Sequence, residues 1–215
     1  MFIENLWRIG LLLIFAMVLG VVGNLGTVVA CLSAGIKIEK VALGFGAPIF
    51  TLKTRVFPII IGCVPTGGYV QQDMEQYRKR SLRVRWLIVL SGPIAVLVSA
   101  ALCLGFGGAA AHFVSAYPQF AKGTLHPLTY GRDLFVMFFV KAQINPVAAY
   151  GILAAKVIAL NMLPFPVATG RRLLSEAVEN RENSKAAKYL SHLATAIALP
   201  LFVSWTIAFV SFLRH

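Results

Sequence analysis

The apolar segments of this chain contain very few side chains able to do chemistry, and those few are amides, hydroxyls and one ammonium. Asn24 and Thr27 lie one turn apart in Val22-Gly23-Asn24-Leu25-Gly26-Thr27-Val28, on one face of an expected helix. Neither is a base or a good metal ligand. No Asp, Glu or His occurs between Arg8 and Glu39, and the only thiol there is Cys31, one turn beyond Thr27. A catalytic zinc needs three protein ligands and an open position for water. Its water also needs a neighbouring carboxylate to take the proton. This segment supplies neither. His112 and His126 have no third ligand near them in sequence and read as ordinary histidines. In Asn161-Met162-Leu163-Pro164-Phe165-Pro166-Val167-Ala168-Thr169-Gly170, the two prolines end an apolar run and expose carbonyls to a polar pocket. Lys156 lies within an apolar run, where an ionisable group is costly and calls for a partner. A carbonyl, a neighbouring subunit or snorkelling along the helix would each account for it.

The elements that must position these residues are membrane elements. Of the 215 residues, 58% are hydrophobic, and the mean hydropathy is +0.77. Soluble domains rarely reach such values. Spans are expected at 6–34, 82–113, 147–163 and 189–213, since at about 1.5 Å per residue each reaches or nearly reaches the ~30 Å hydrocarbon core. The first reads as a retained anchor, because its apolar run is too long for a signal peptide. Residues 36–72 are punctuated by glycines and prolines around the β-prone runs 37–43, 49–54, 57–63 and 69–71, which predicts a small membrane-associated sheet. Residues 114–146 read as an outward loop rich in aromatics, with 134–140 lying along the interface. Residues 164–188 read as a broken segment leading into a cytoplasmic surface helix. All of this forms one membrane domain. The formal net charge of +12 does not point to nucleic acid. With the N-terminus outside, fourteen of the twenty basic residues fall on the inner segments, among them Arg78-Lys79-Arg80, Arg83 and Arg85 at the entry of the second span. That positive-inside bias places both termini on the non-cytoplasmic side, with membrane lipid phosphates as partners of the basic collar. Cys31, Cys63 and Cys103 form no metal spacing and read as buried thiols.

Three blocks in order resemble one known family. The first runs from Gly23-Asn24-Leu25-Gly26-Thr27 through Gly35-Ile36-Lys37-Ile38-Glu39 and Leu43-Gly44-Phe45-Gly46 to Pro65-Thr66-Gly67-Gly68-Tyr69-Val70. The second is Ser91-Gly92-Pro93-Ile94-Ala95, and the third is the Asn161–Gly170 stretch; Ile144-Asn145-Pro146-Val147 resembles a further, weaker element. Together they resemble the site-2 protease family of intramembrane zinc metalloproteases. That family has His-Glu-Leu-Gly-His where this chain has residues 23–27. It has Asn where this chain has Val96, and the aspartate that is its third zinc ligand where this chain has Thr169. The resemblance therefore implies a degenerate member in which Gly23, Asn24, Thr27 and Thr169 mark a lost catalytic centre. No metal and no cofactor are expected. It also implies that Gly67, Gly68, Tyr69 and Val70 belong to a sheet whose edge pairs with an extended substrate, and that Asn161, Pro164 and Pro166 help hold that segment. Strand addition uses main-chain bonds and needs no catalytic residue.

The expected function is that of a non-catalytic membrane protein. It would bind another membrane protein or an extended peptide segment, as regulator, assembly factor or subunit of a multisubunit complex. The expected location is a bacterial inner membrane. Two alternatives remain at this point: an active intramembrane metalloprotease using unrecognised ligands, and a purely structural or transport subunit. Asn161→Ala or Gly68→Val is expected to weaken capture of the partner without unfolding the chain. Restoring the two histidines, the glutamate and the aspartate is expected to rebuild a zinc site.

Overall fold

A computed structural model describes residues 2–165, 168–177 and 185–214, with side chains throughout except at residue 2 and residues 185–193. It is mostly helical, with one small antiparallel sheet. The chain divides into two compact units, residues 1–98 and 99–215.

The first unit opens with α1 (Phe2–Ser33), an unbroken apolar helix about 48 Å long. It leads into the strands β1 (Ile38–Lys53) and β2 (Pro58–Gln72). Each strand is long enough to change partners midway, so the hairpin carries four paired segments. Val41, Ala42 and Leu43 face Val70, Tyr69 and Gly68 on one side and Ile59, Ile60 and Ile61 on the other. Residues 50–53 pair with 58–61 beyond them. The change of partner occurs at Gly44 and Gly46, both with positive φ, and a Cβ at 44 would lie 2.5 Å from the Val64 carbonyl oxygen. The tip is closed by Thr54, whose Oγ1 accepts from the Val56 and Phe57 amides. The short α2 (Met74–Arg78) follows, capped by Asp73, whose carboxylate accepts from the Glu75 and Gln76 amides. The core of this unit gathers Cys31 from α1, Ile36, Ile38 and Val41 from the start of the sheet, Tyr77 from α2 and Ile88 from the next helix.

That helix is α3 (Leu82–Leu125), interrupted at Gly105, whose φ of 74° and ψ of 161° are not helical. At about 1.5 Å per residue its 44 residues would otherwise reach about 66 Å, twice the hydrocarbon core. In the second unit a π-helical turn (Pro127–Gly131) joins α3 to α4 (Arg132–Ile144). Next come α5 (Pro146–Asn161), α6 (Thr169–Ala177) and α7 (Lys185–Arg214). The buried face of α5 is nearly all Ala and Gly, which lets backbones approach closely. Aromatic rings hold α7: Trp205 stacks on Phe120, and Phe212 stacks on Phe139. Ser204 donates to the Thr124 carbonyl, and the Trp205 ring nitrogen donates to Thr124 Oγ1.

Three described helices are long and apolar enough to cross a membrane: Ile3–Ser33, Leu82–Leu125 and Ala194–Arg214. The expected third span is α5, an apolar helix of only 16 residues. Residues 114–146 are helical for most of their length rather than a loop. Pro118, Gly123 and Pro127 read as breakers in isolation. An apolar environment, however, offers no water to satisfy an open backbone, and packing against Trp205 keeps the coil closed. The expected end of the surface helix, at 180–183, lies outside the described residues, as does Pro166. Two side-chain expectations change. Cys63 is exposed on the hairpin and Cys103 is only partly buried, while Cys31 is buried as expected. Arg85 is only 9% exposed and turns into the protein, so it does not serve the basic collar.

Candidate functional site

Gly23, Asn24 and Thr27 lie in the middle of α1, where three close approaches define their surroundings. Gly26 packs so tightly on α3 that a Cβ there would lie 2.5 Å from the Ser91 carbonyl oxygen and 2.7 Å from the Ala95 methyl. Across the same contact a Cβ on Gly92 would lie 3.1 Å from Thr27 Oγ1, and one on Gly23 would lie 3.6 Å from a Val96 methyl. Val96 is buried. Small residues at every level of this crossing bring the two helices together.

Asn24 faces the hairpin. Its amide nitrogen donates to the Ala42 carbonyl at 3.0 Å. Gly68 leaves the room for it, because a Cβ there would lie 2.6 Å from that nitrogen and 2.3 Å from the same carbonyl oxygen. Two further contacts extend the same face of α1. A Cβ on Gly20 would lie 2.4 Å from the Gly67 carbonyl oxygen, and the buried Cys31 thiol donates to Gln72 Oε1 at 3.3 Å. Gly20 to Cys31 spans eleven helical steps, and Gly67 to Gln72 spans five strand steps. Both come to about 16.5 Å, so helix and strand are matched at the two ends of this segment. The Gly67–Val70 stretch is thus supported along its length by α1, with Tyr69 42% exposed.

In the second unit, Asn161 closes α5. Its Oδ1 accepts the Thr169 amide at 3.1 Å, tying the end of one helix to the start of the next. Gly170 is tucked beneath the same turn: a Cβ would lie 2.1 Å from the Met162 carbonyl oxygen. Pro164 is exposed between them. Asn145 caps the other end of α5 by accepting from the Ala148 amide, with Pro146 in the first turn. Lys156 donates from its ammonium to Gln119 Oε1, so an amide carbonyl answers the need that its position raised.

At the four positions that the resemblance marks, three for zinc ligands and one for the base, the side chains offer one amide, two hydroxyls and, at Gly23, nothing. A catalytic zinc does not fit this set. Thr27 donates its hydroxyl to the Gly23 carbonyl at 3.2 Å, and the Asn24 amide is engaged by Ala42. Among the described residues no three His, Cys, Asp or Glu side chains gather as a metal site. The sequence did not point to Ala42, Gly20, Gln72 or Gln119. None of these has a side chain or spacing that marks a role until the register of the hairpin and the packing of α3 are known.

Apolar helices of this length, with a glycine-broken hairpin inserted between the first two, define an integral membrane protein. The chain belongs to Peptidase family M50, whose family model matches residues 11–203. Among curated proteins none matches it.

Proposed function

We propose that this chain is a non-catalytic member of Peptidase family M50. In this reading it binds a segment of another membrane protein, as a regulator, assembly factor or complex subunit, in a bacterial inner membrane. The observation that carries it is the bond between Asn24 and the Ala42 carbonyl. Asn24 occupies the position of the family's catalytic glutamate, and its side chain holds the hairpin against α1. A carboxylate there could not donate to that carbonyl, so the position now serves the sheet and not hydrolysis. In this reading the segment Gly67-Gly68-Tyr69-Val70 of β2 accepts a partner strand through main-chain bonds, and Tyr69 is the side chain it presents. In the same reading Asn161 and Pro164 offer a second place for an extended chain to lie, the expected part of Pro166 falling outside the described residues.

The test is made on the full chain, purified in mild detergent. Less than a tenth of an equivalent of zinc is expected by elemental analysis, with no cleavage of a single-span model substrate and with a membrane protein copurifying. Stoichiometric zinc together with cleavage would overturn the reading. Tyr69→Ala is expected to lower the yield of the copurifying protein severalfold at unchanged melting temperature.

A further inference from the structure

A separate feature of the second unit has no counterpart in the reading above. A cavity of about 350 Å³ lies between the π-helical turn and the end of α7, lined by Leu128, Thr206, Ile207, Val210, Ser211 and Arg214. Its volume falls within the roughly 300–1,000 Å³ of ligand pockets. The three apolar lining residues are 58%, 44% and 42% exposed, so this is an open groove and not a packing defect in the core. Arg214 and Ser211 stand at one end of it in sequence order, Ile207 and Thr206 at the other.

Three observations say what would lie there. First, the span Ala194–Arg214 has 21 residues, about 31 Å of helix. Arg214 therefore stands at the depth of lipid phosphates when the apolar part fills the hydrocarbon core. Second, no lining residue is acidic, and among the described residues no ion pair engages Arg214. Third, a second cation is held at the same turn: the Lys122 ammonium stands 4.4 Å from the centroid of the Tyr130 ring. A guanidinium with a hydroxyl one turn from an apolar groove complements a phosphate joined to an acyl chain. The turn is π-helical, a rare geometry that often accompanies a function.

We infer that this groove is a site for one anionic phospholipid, with an acyl chain along Leu128, Ile207 and Val210 and the phosphate on Arg214. The test is native mass spectrometry of the full chain after exchange into mixed micelles of phosphatidylglycerol and phosphatidylcholine. One phosphatidylglycerol is expected to be retained with a preference of about fivefold, the factor that one basic residue near an anionic lipid supplies. Arg214→Gln should bring that preference close to parity, whereas Arg214→Lys should keep most of it. Val210→Trp should expel the lipid by filling the groove while leaving the charge in place. Equal retention of the two lipids by the unaltered chain would overturn the inference, as would an unchanged preference in Arg214→Gln. Displacement by inorganic phosphate alone would remove the acyl-chain half of it.

Discussion

Asn24 ties α1 to the hairpin through one side-chain hydrogen bond. A side chain that donates one hydrogen bond to a partly buried carbonyl contributes about 1 kcal/mol net, and leaving that carbonyl unsatisfied costs about 1–3 kcal/mol. Asn24→Ala is therefore expected to destabilise the hairpin by about 1–2 kcal/mol. Asn24→Asp is expected to do worse at neutral pH, because a carboxylate can only accept and would face the Ala42 oxygen. Lowering the pH should recover part of that loss, since a protonated carboxyl can donate again. Thermal unfolding in detergent, followed across pH, checks the order and the recovery. The same geometry corrects an expectation made for Gly68→Val. Its Cβ would run into Ala42 and Asn24, so that variant disturbs the fold and is a poor probe of binding. Histidine at 23 and 27 would stand on the packed face of α1, where a Cβ at 23 would lie 3.6 Å from Val96 and one on Gly92 would lie 3.1 Å from Thr27 Oγ1.

Among the elements, α3 shows how one backbone position can set a helix's course. At Gly105 the φ and ψ fall where only glycine is at ease. A Cβ there would meet no atom within 4 Å, so any cost of adding one is conformational and not steric. Gly105→Ala is expected to lose about 1–3 kcal/mol, or to draw α3 towards a continuous helix. A lower melting temperature, or a longer distance between spin labels at 90 and 120, would register one or the other. The apolar run of 82–113 made a helix legible, but not the break at Gly105. Nor did it tell that the coil would run on to Leu125, because that depends on Trp205 and Phe120 meeting across elements 85 positions apart. The hairpin was legible from its Gly and Pro punctuation. Its four-segment register was not, because bulges at Gly44 and Gly46 redirect pairing without leaving a period in the sequence.

At the scale of the whole molecule the charge pattern makes a claim about sidedness. Both termini are expected on the non-cytoplasmic side. An alkaline phosphatase fusion after residue 214 should be active, and a green fluorescent protein fusion at the same place should stay dark; the opposite pattern would reverse the topology. The family was legible in the order of three glycine- and proline-bearing blocks. The packing around residues 23–27 was not, since Gly23, Gly26 and Thr27 meet Ser91, Gly92 and Val96 on another helix.

The outer segment of the hairpin has a bearing on the life of the chain before it reaches a bilayer. Ile49, Phe50 and Leu52 are exposed on the sheet segment that pairs on one side only, and Val56 is exposed at its tip. In water such an edge is a template for self-association, and Pro48, Lys53 and Arg55 stand where gatekeepers against it would stand. During synthesis this stretch follows α1 out of the ribosome before α3 exists to shelter anything. Delivery to the membrane while translation continues is thus the expected route for this hairpin, and synthesis without a membrane is expected to yield aggregates that sediment.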